Sequence, residues 1–131
     1  GADHVVNSAE EGAAAKVREI TGPRKNLVVD ASGSKSSGPF CIDAATRGAT
    51  VVLVGGSGGM TNFKPIVTKE LTVRGVIGGR SMYREALQLV SEGRINVKPL
   101  LTHRYRLDQI QQAMEDITSR PDEVIRTVLE A

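Results

Sequence analysis

Apolar positions along this chain change rhythm repeatedly, from helical spacing to short uninterrupted runs and back. Ser8-Ala9-Glu10-Glu11 has the form of a capping box, with Ser8 closing the first turn and Glu11 reaching back. Ala13, Val17 and Ile20 then recur at helical spacing until Gly22-Pro23 stops the helix. Asn26-Leu27-Val28-Val29-Asp30-Ala31 is apolar on both faces, the pattern of a buried parallel strand, and breaks into Ser32-Gly33-Ser34. A second helix is predicted from about Gly38-Pro39 to Arg47, burying Phe40, Cys41, Ala44 and Ala45, with Gly48 closing it. Ala49-Thr50-Val51-Val52-Leu53-Val54 predicts the next strand, ending at Gly55-Gly56-Ser57-Gly58-Gly59. One helical turn between Pro65 and Glu70 leads to a third strand, Leu71 to Ile77, which ends in Gly78-Gly79.

The remaining third repeats the alternation. Tyr83, Ala86, Leu87 and Val90 mark a helix stopped by Gly93. Val97 to Tyr105 reads as extended, because Pro99 cannot sit inside a helix. Asp108 with Gln111 forms a second capping box before a helix carrying Ile110, Ala113, Met114 and Ile117, and Val124 to Leu129 is a closing strand. Strands and helices that alternate through short connections imply a parallel sheet with crossover helices. The expectation is one compact α/β unit, a partial Rossmann-like doubly wound parallel sheet.

Composition narrows the class. Apolar residues make up 40% and charged residues 24% of the 131 positions, as in an ordinary globular protein. With Phe40, Phe63, Tyr83 and Tyr105 as the only aromatics, the core has to be aliphatic. The net charge of +2 is spread along the chain without a basic block, which argues against a nucleic-acid partner. A single cysteine, Cys41, excludes an internal disulfide framework and fits a reducing compartment. No apolar run approaches spanning length and no signal segment opens the chain, so the expectation is a soluble, cytoplasmic protein without a membrane partner. Gly1-Ala2-Asp3-His4 lacks an initiator Met and reads as mid-protein sequence.

In an open parallel sheet, ligands bind beyond the carboxyl ends of the strands. Three such ends carry small residues: Ala31-Ser32-Gly33, Val54-Gly55-Gly56 and Gly75-Val76-Ile77-Gly78-Gly79. Small residues let backbone amides and carbonyls come close to a ligand, and a carboxamide such as nicotinamide needs one acceptor and one donor. Singly, each glycine also suits a simple turn. The Gly55–Gly59 cluster has neither the Gly-x-Gly-x-x-Gly spacing of a dinucleotide loop nor the Gly-Lys-Ser/Thr of a phosphate loop. His4, His103 and Cys41 do not stand at metal-ligand spacing, so no metal site is expected. Asp30 can bind a ribose hydroxyl or its own local backbone, and Arg80 a phosphate or solvent. No nucleophile–base pair or paired carboxylate is visible, so no catalytic residue is assigned.

Taken in order, these segments resemble the medium-chain dehydrogenase/reductase family, in its zinc alcohol and polyol dehydrogenase branch. Gly1-Ala2-Asp3-His4-Val5-Val6-Asn7 is similar to the family's third strand of the nucleotide fold, and Val28-Val29-Asp30-Ala31-Ser32-Gly33 to the fourth. Arg47-Gly48-Ala49-Thr50-Val51-Val52-Leu53-Val54-Gly55 resembles the fifth, and Lys69-Glu70-Leu71-Thr72-Val73-Arg74-Gly75 the sixth. Leu101-Thr102-His103-Arg104-Tyr105-Arg106-Leu107-Asp108 is similar to the stretch that leads to the last helix.

The resemblance implies that residues 1–131 are the carboxy-terminal part of a nucleotide-binding domain, with 97–131 returning toward a catalytic domain that is missing here. It implies NAD or NADP as cofactor, zinc in the parent protein only, and a small alcohol or polyol substrate acted on by the parent. Ala31, Ser32 and Gly33 would line the adenosine side of the cleft. Val54, Gly55 and Gly56 would approach the nicotinamide, and Val76 and Ile77 would offer it backbone hydrogen bonds. The zinc-binding Cys and Gly-His-Glu motifs, the phosphate-binding turn and the first two strands have no counterpart, so the chain alone is expected to be inactive. Residues 3–7 would then lack pairing neighbours. A homo-oligomer joined through Pro65–Ile77 is also implied. Two alternatives stay open: a stand-alone nucleotide-binding or dimerising module, and a fragment of a zinc-free quinone reductase.

Overall fold

The structure is a computed structural model that describes residues 2–55, 62–79 and 81–131. It divides into two compact units, Gly1–Arg80 and Ser81–Ala131.

The first unit runs α1 (Ala13–Thr21), β1 (Leu27–Asp30), α2 (Ser37–Ala44), β2 (Thr50–Leu53), α3 (Lys64–Thr68) and β3 (Thr72–Gly75). The strands form a parallel sheet in the order β1-β2-β3, with Asp30 opposite Leu53 and Leu53 opposite Gly75. Helix α2 makes the crossover and packs on β1 and β2. Cys41, Ala45, Ala49 and Val51 form the buried cluster, with Val28, Leu53 and Leu71 packed against it. Its alanines let the α2 segment come close to the sheet, and the cluster is aliphatic as the composition required. Cys41 lies inside it, and burial, helped by the Asp30 charge, pushes its thiol pKa up, as expected of an inert core cysteine. Leu27 and Val29 point to the opposite face and stay exposed.

Long-range partners move several predicted boundaries. Helix α1 begins after Gly12, whose φ of 74° is left-handed and interrupts any helix started at Ser8. The Ser8–Glu11 box is not formed; instead Asn7 Oδ1 accepts the Ala9 amide at 3.0 Å in a local turn. Helix α2 stops at Ala44 because Thr46 is bound elsewhere: its hydroxyl donates to the Arg24 carbonyl at 2.8 Å, and its amide to Asn26 Oδ1 at 3.1 Å. Residues 3–7 form no strand.

The second unit contains α4 (Tyr83–Ser91), β4 (Leu101–Arg106), α5 (Ile110–Ser119) and β5 (Arg126–Glu130). Strands β4 and β5 pair in parallel with each other, with an irregularity between Leu101 and His103. Residues 98–100 are a 3-10 turn rather than extended chain, with Pro99 in its first positions, where the missing N–H costs nothing. Ahead of α5, Gln109 Oε1 accepts the Arg106 amide at 3.0 Å, replacing the predicted Asp108–Gln111 box. Tyr105 and Ala113 are buried between β4 and α5. The Tyr105 hydroxyl donates to Asp116 Oδ2 at 2.6 Å, and Arg120 pairs with the same oxygen at 2.7 Å.

Candidate functional site

Because β1, β2 and β3 are parallel and in register, their carboxyl ends meet at one edge of the sheet. Ala31-Ser32-Gly33, Val54-Gly55 and Val76-Ile77 therefore form a common rim. Gly56, the remaining predicted cofactor residue, lies outside the described residues, as do Arg80 and the rest of the Gly55–Gly59 cluster beyond Gly55. Val54, Val76 and Ile77 present exposed apolar side chains, Ile77 most of all at 85% exposure. The Val76 amide is already bound to the Leu53 carbonyl at 2.9 Å, so Val76 can offer a ligand only its own carbonyl. The Val54 and Gly55 amides both point to the Asp30 carbonyl, at 2.9 and 3.1 Å.

Asp30 closes the base of the rim. It is 2% exposed, and its carboxylate is fully engaged by local donors. Oδ1 accepts the Ser32 amide at 3.1 Å and the Ser32 hydroxyl at 3.0 Å; Oδ2 accepts the Ser37 hydroxyl at 2.7 Å. Burial alone would raise its pKa, but the Ser37 and Ser32 hydrogen bonds together hold it below the ordinary carboxylate value. Of the two roles open to Asp30, the structure shows the local one.

Asp30 also lines a cavity of about 340 Å³, together with Ser8, Val29 and Ala31, with Ser32, Ser34, Ser36 and Ser37, and with Phe40 and Cys41. Of the predicted rim residues, Ala31 and Ser32 reach it. Sequence reasoning missed Ser34, Ser36, Ser37 and Phe40. The density of serine between Ser32 and Ser37 was the available signal, since hydroxyls packed ahead of a helix must find partners.

The histidines fall in different units. His103 stacks on Tyr105 at 6.3 Å between ring centroids, and its Nδ1 lies 3.0 Å from the Thr102 hydroxyl. His4 borders an apolar groove with Val6, Val17, Ile20 and Phe40. Among the described residues no three potential ligands gather to hold a metal ion, and no helix is long and apolar enough to cross a membrane.

Parallel strands with small residues at a shared carboxyl edge define a partial Rossmann-like fold. A family model described as zinc-binding dehydrogenase matches residues 1–92, and the chain belongs to that family. It is 32% identical to sorbitol dehydrogenase of Gallus gallus over 98% of its own length and 37% of that protein's. It spans about a third of the length of the curated relatives it matches, 34% of sorbitol dehydrogenase of Ovis aries for example. Among solved structures, an Escherichia coli oxidoreductase/dehydrogenase of unknown specificity superposes with a TM-score of 0.84 at 26% identity, over all of this chain and 39% of that one. An alcohol dehydrogenase of Escherichia coli complexed with NADH shares the fold, with a TM-score of 0.82 at 20% identity, over all of this chain and 39% of its own.

Proposed function

We propose that the chain forms the nicotinamide-side wall of the cofactor cleft in an NAD(P)-dependent oxidoreductase acting on an alcohol or polyol. The observation that carries this reading is the convergence of three small-residue strand ends at one edge of a parallel sheet. Backbone groups there can approach a flat, amide-bearing ring without side chains between them. Val54, Val76 and Ile77 supply apolar surface for the ring, and the Val76 carbonyl supplies an acceptor for the carboxamide. Ala31, Ser32 and Gly33 would border the adenosine end. When bound, the nicotinamide accepts the hydride removed from the alcohol carbon. The residues of this chain would orient the ring and shield one face of it from water.

His4, His103 and buried Cys41 do not make a zinc donor set, so in this reading the metal is held by another part of the whole protein. The chain alone would then not oxidise alcohols, and residues 97–131 would return toward the catalytic domain. Pairing of copies through Pro65–Ile77 belongs to the same proposal: β3 lies at the margin of its sheet with Val73 partly exposed.

The test is a titration of the isotope-labelled chain with NAD+, NADP+ and AMP, followed by amide chemical shifts. The expected result is perturbation of Ala31–Gly33 by all three ligands, and of Val54, Val76 and Ile77 by the dinucleotides alone. Shifts confined to the opposite edge of the sheet, or to the second unit, would overturn the assignment. So would alcohol oxidation by the chain without other domains. Tight dinucleotide binding without any such activity would favour the stand-alone binding module.

A further inference from the structure

We infer that Asp30 is the positioning residue of the rim, fixing the first and second strand ends relative to each other while touching no ligand itself. Both ends converge on this one residue through different atoms. Its side chain holds the first end: the Ser32 amide and hydroxyl on Oδ1, and the Ser37 hydroxyl on Oδ2. Its main-chain carbonyl holds the second, through the Val54 and Gly55 amides. The two ends are also in contact, since Gly55 packs directly against the Gly33 backbone. A peptide anchored on both sides transmits any displacement of residues 31–33 to residues 54–55.

The chemistry favours a carboxylate here. The Ser32 amide and hydroxyl reach the carboxylate as donors and would lose their acceptor without it, while the Ser37 hydroxyl is shared between Asp30 Oδ2 and the Ser34 carbonyl, each at 2.7 Å. The ionised form accepts all three at once, whereas an amide side chain would turn a donor toward one of them. At 2% exposure the carboxylate is not free to bind ligand, so its effect on the rim is indirect. Ser37 opens α2, so the same carboxylate also sets where that helix begins relative to the strand end.

That the rim faces a dinucleotide rests on the proposed function; that Asp30 holds the rim does not. Amide hydrogen exchange on the full 131-residue chain tests the second point directly. Asp30→Asn is expected to speed exchange at Ser32 and Gly55 by about tenfold, the scale of a lost hydrogen bond to a charged group. Val28 and Val51, inside the sheet, report the overall loss of stability, and Ser32 and Gly55 should speed by more than they do. Val51→Ala serves as a destabilised control, because it opens the core without touching the rim. Its effect should be global and not selective for Ser32 and Gly55. Unchanged rates at those amides in Asp30→Asn, or the same selective change in Val51→Ala, would overturn the inference. Should Asp30→Asn fail to fold, Ser37→Ala decides: it keeps the charge, removes one tie, and is expected to speed exchange severalfold across residues 32–34.

With NAD+ as the probe, Asp30→Asn should weaken binding about tenfold while Val51→Ala leaves it near the wild-type value. A wild-type chain that ignores NAD+ would favour one wall of a larger cleft over a stand-alone binding module, and the exchange rates would still decide the role of Asp30.

Discussion

Gly55 and Gly33 meet so closely that a methyl group on Gly55 would stand 2.6 Å from the Gly33 nitrogen and 2.9 Å from its α carbon. The glycine at the end of β2 is therefore required by the neighbouring strand end, whatever the rim binds. Gly55→Ala is expected to destabilise the first unit by about 1–3 kcal/mol, the usual cost of overpacking against backbone that cannot yield. Gly75→Ala meets no atom within 4 Å and should cost far less. Urea unfolding of the two variants side by side checks the contrast.

Lys69 reaches back from the turn after α3 to the end of α2. Its Nζ donates to the carbonyls of Ile42 at 3.1 Å, Asp43 at 2.8 Å and Ala45 at 3.1 Å. These are carbonyls that a helix end leaves without internal partners, and a cation also suits the negative end of the helix dipole. Lys69→Met keeps the aliphatic stem and removes the donors. The expected loss is roughly 1–2 kcal/mol, read as a lower urea midpoint with an unchanged slope.

Acid stability should carry the signature of Asp30. Its folded pKa lies below the ordinary value, held there by Ser37 and Ser32 against the opposing effect of burial. A depressed folded pKa contributes stability that is present above the unfolded value of about 4 and is lost as pH falls through the folded value. Asp30→Asn should therefore be less stable than wild type near neutrality and approach it below about pH 4. A constant gap between the two unfolding curves at all pH values would contradict this.

In the second unit the titration runs the other way. Its hydrogen bond to Asp116 raises the Tyr105 pKa, with burial and the Asp116 charge adding and Arg120 opposing. The stability this contact contributes is present below the ordinary tyrosine value and lost as pH rises through the raised one. The chain has two tyrosines, so a Tyr83→Phe background isolates Tyr105 for ultraviolet titration. Its midpoint is expected above the ordinary value of about 10, and Asp116→Asn should bring it back down.

The strand-and-helix alternation, the aliphatic core and the three small-residue strand ends were legible before any fold was known. Each is written in neighbours: apolar runs such as Val51-Val52-Leu53, helical spacing such as Tyr83, Leu87 and Val90, and glycines at the stops. The family resemblance was legible too, because it rests on the order of those segments.

Tertiary structure decided what depends on partners far apart in the chain. Asn26 and Thr46 end α2 early, and Lys69 finds carbonyls more than twenty residues before it. A capping box at Ser8 fits every local rule yet is not formed, because a left-handed Gly12 intervenes. Asp30 is an ambiguous acid in the sequence. Only the approach of Ser37, Val54 and Gly55 turns it into the anchor of the rim, because a hydrogen bond depends on distance in space and local sequence pattern carries no such distances.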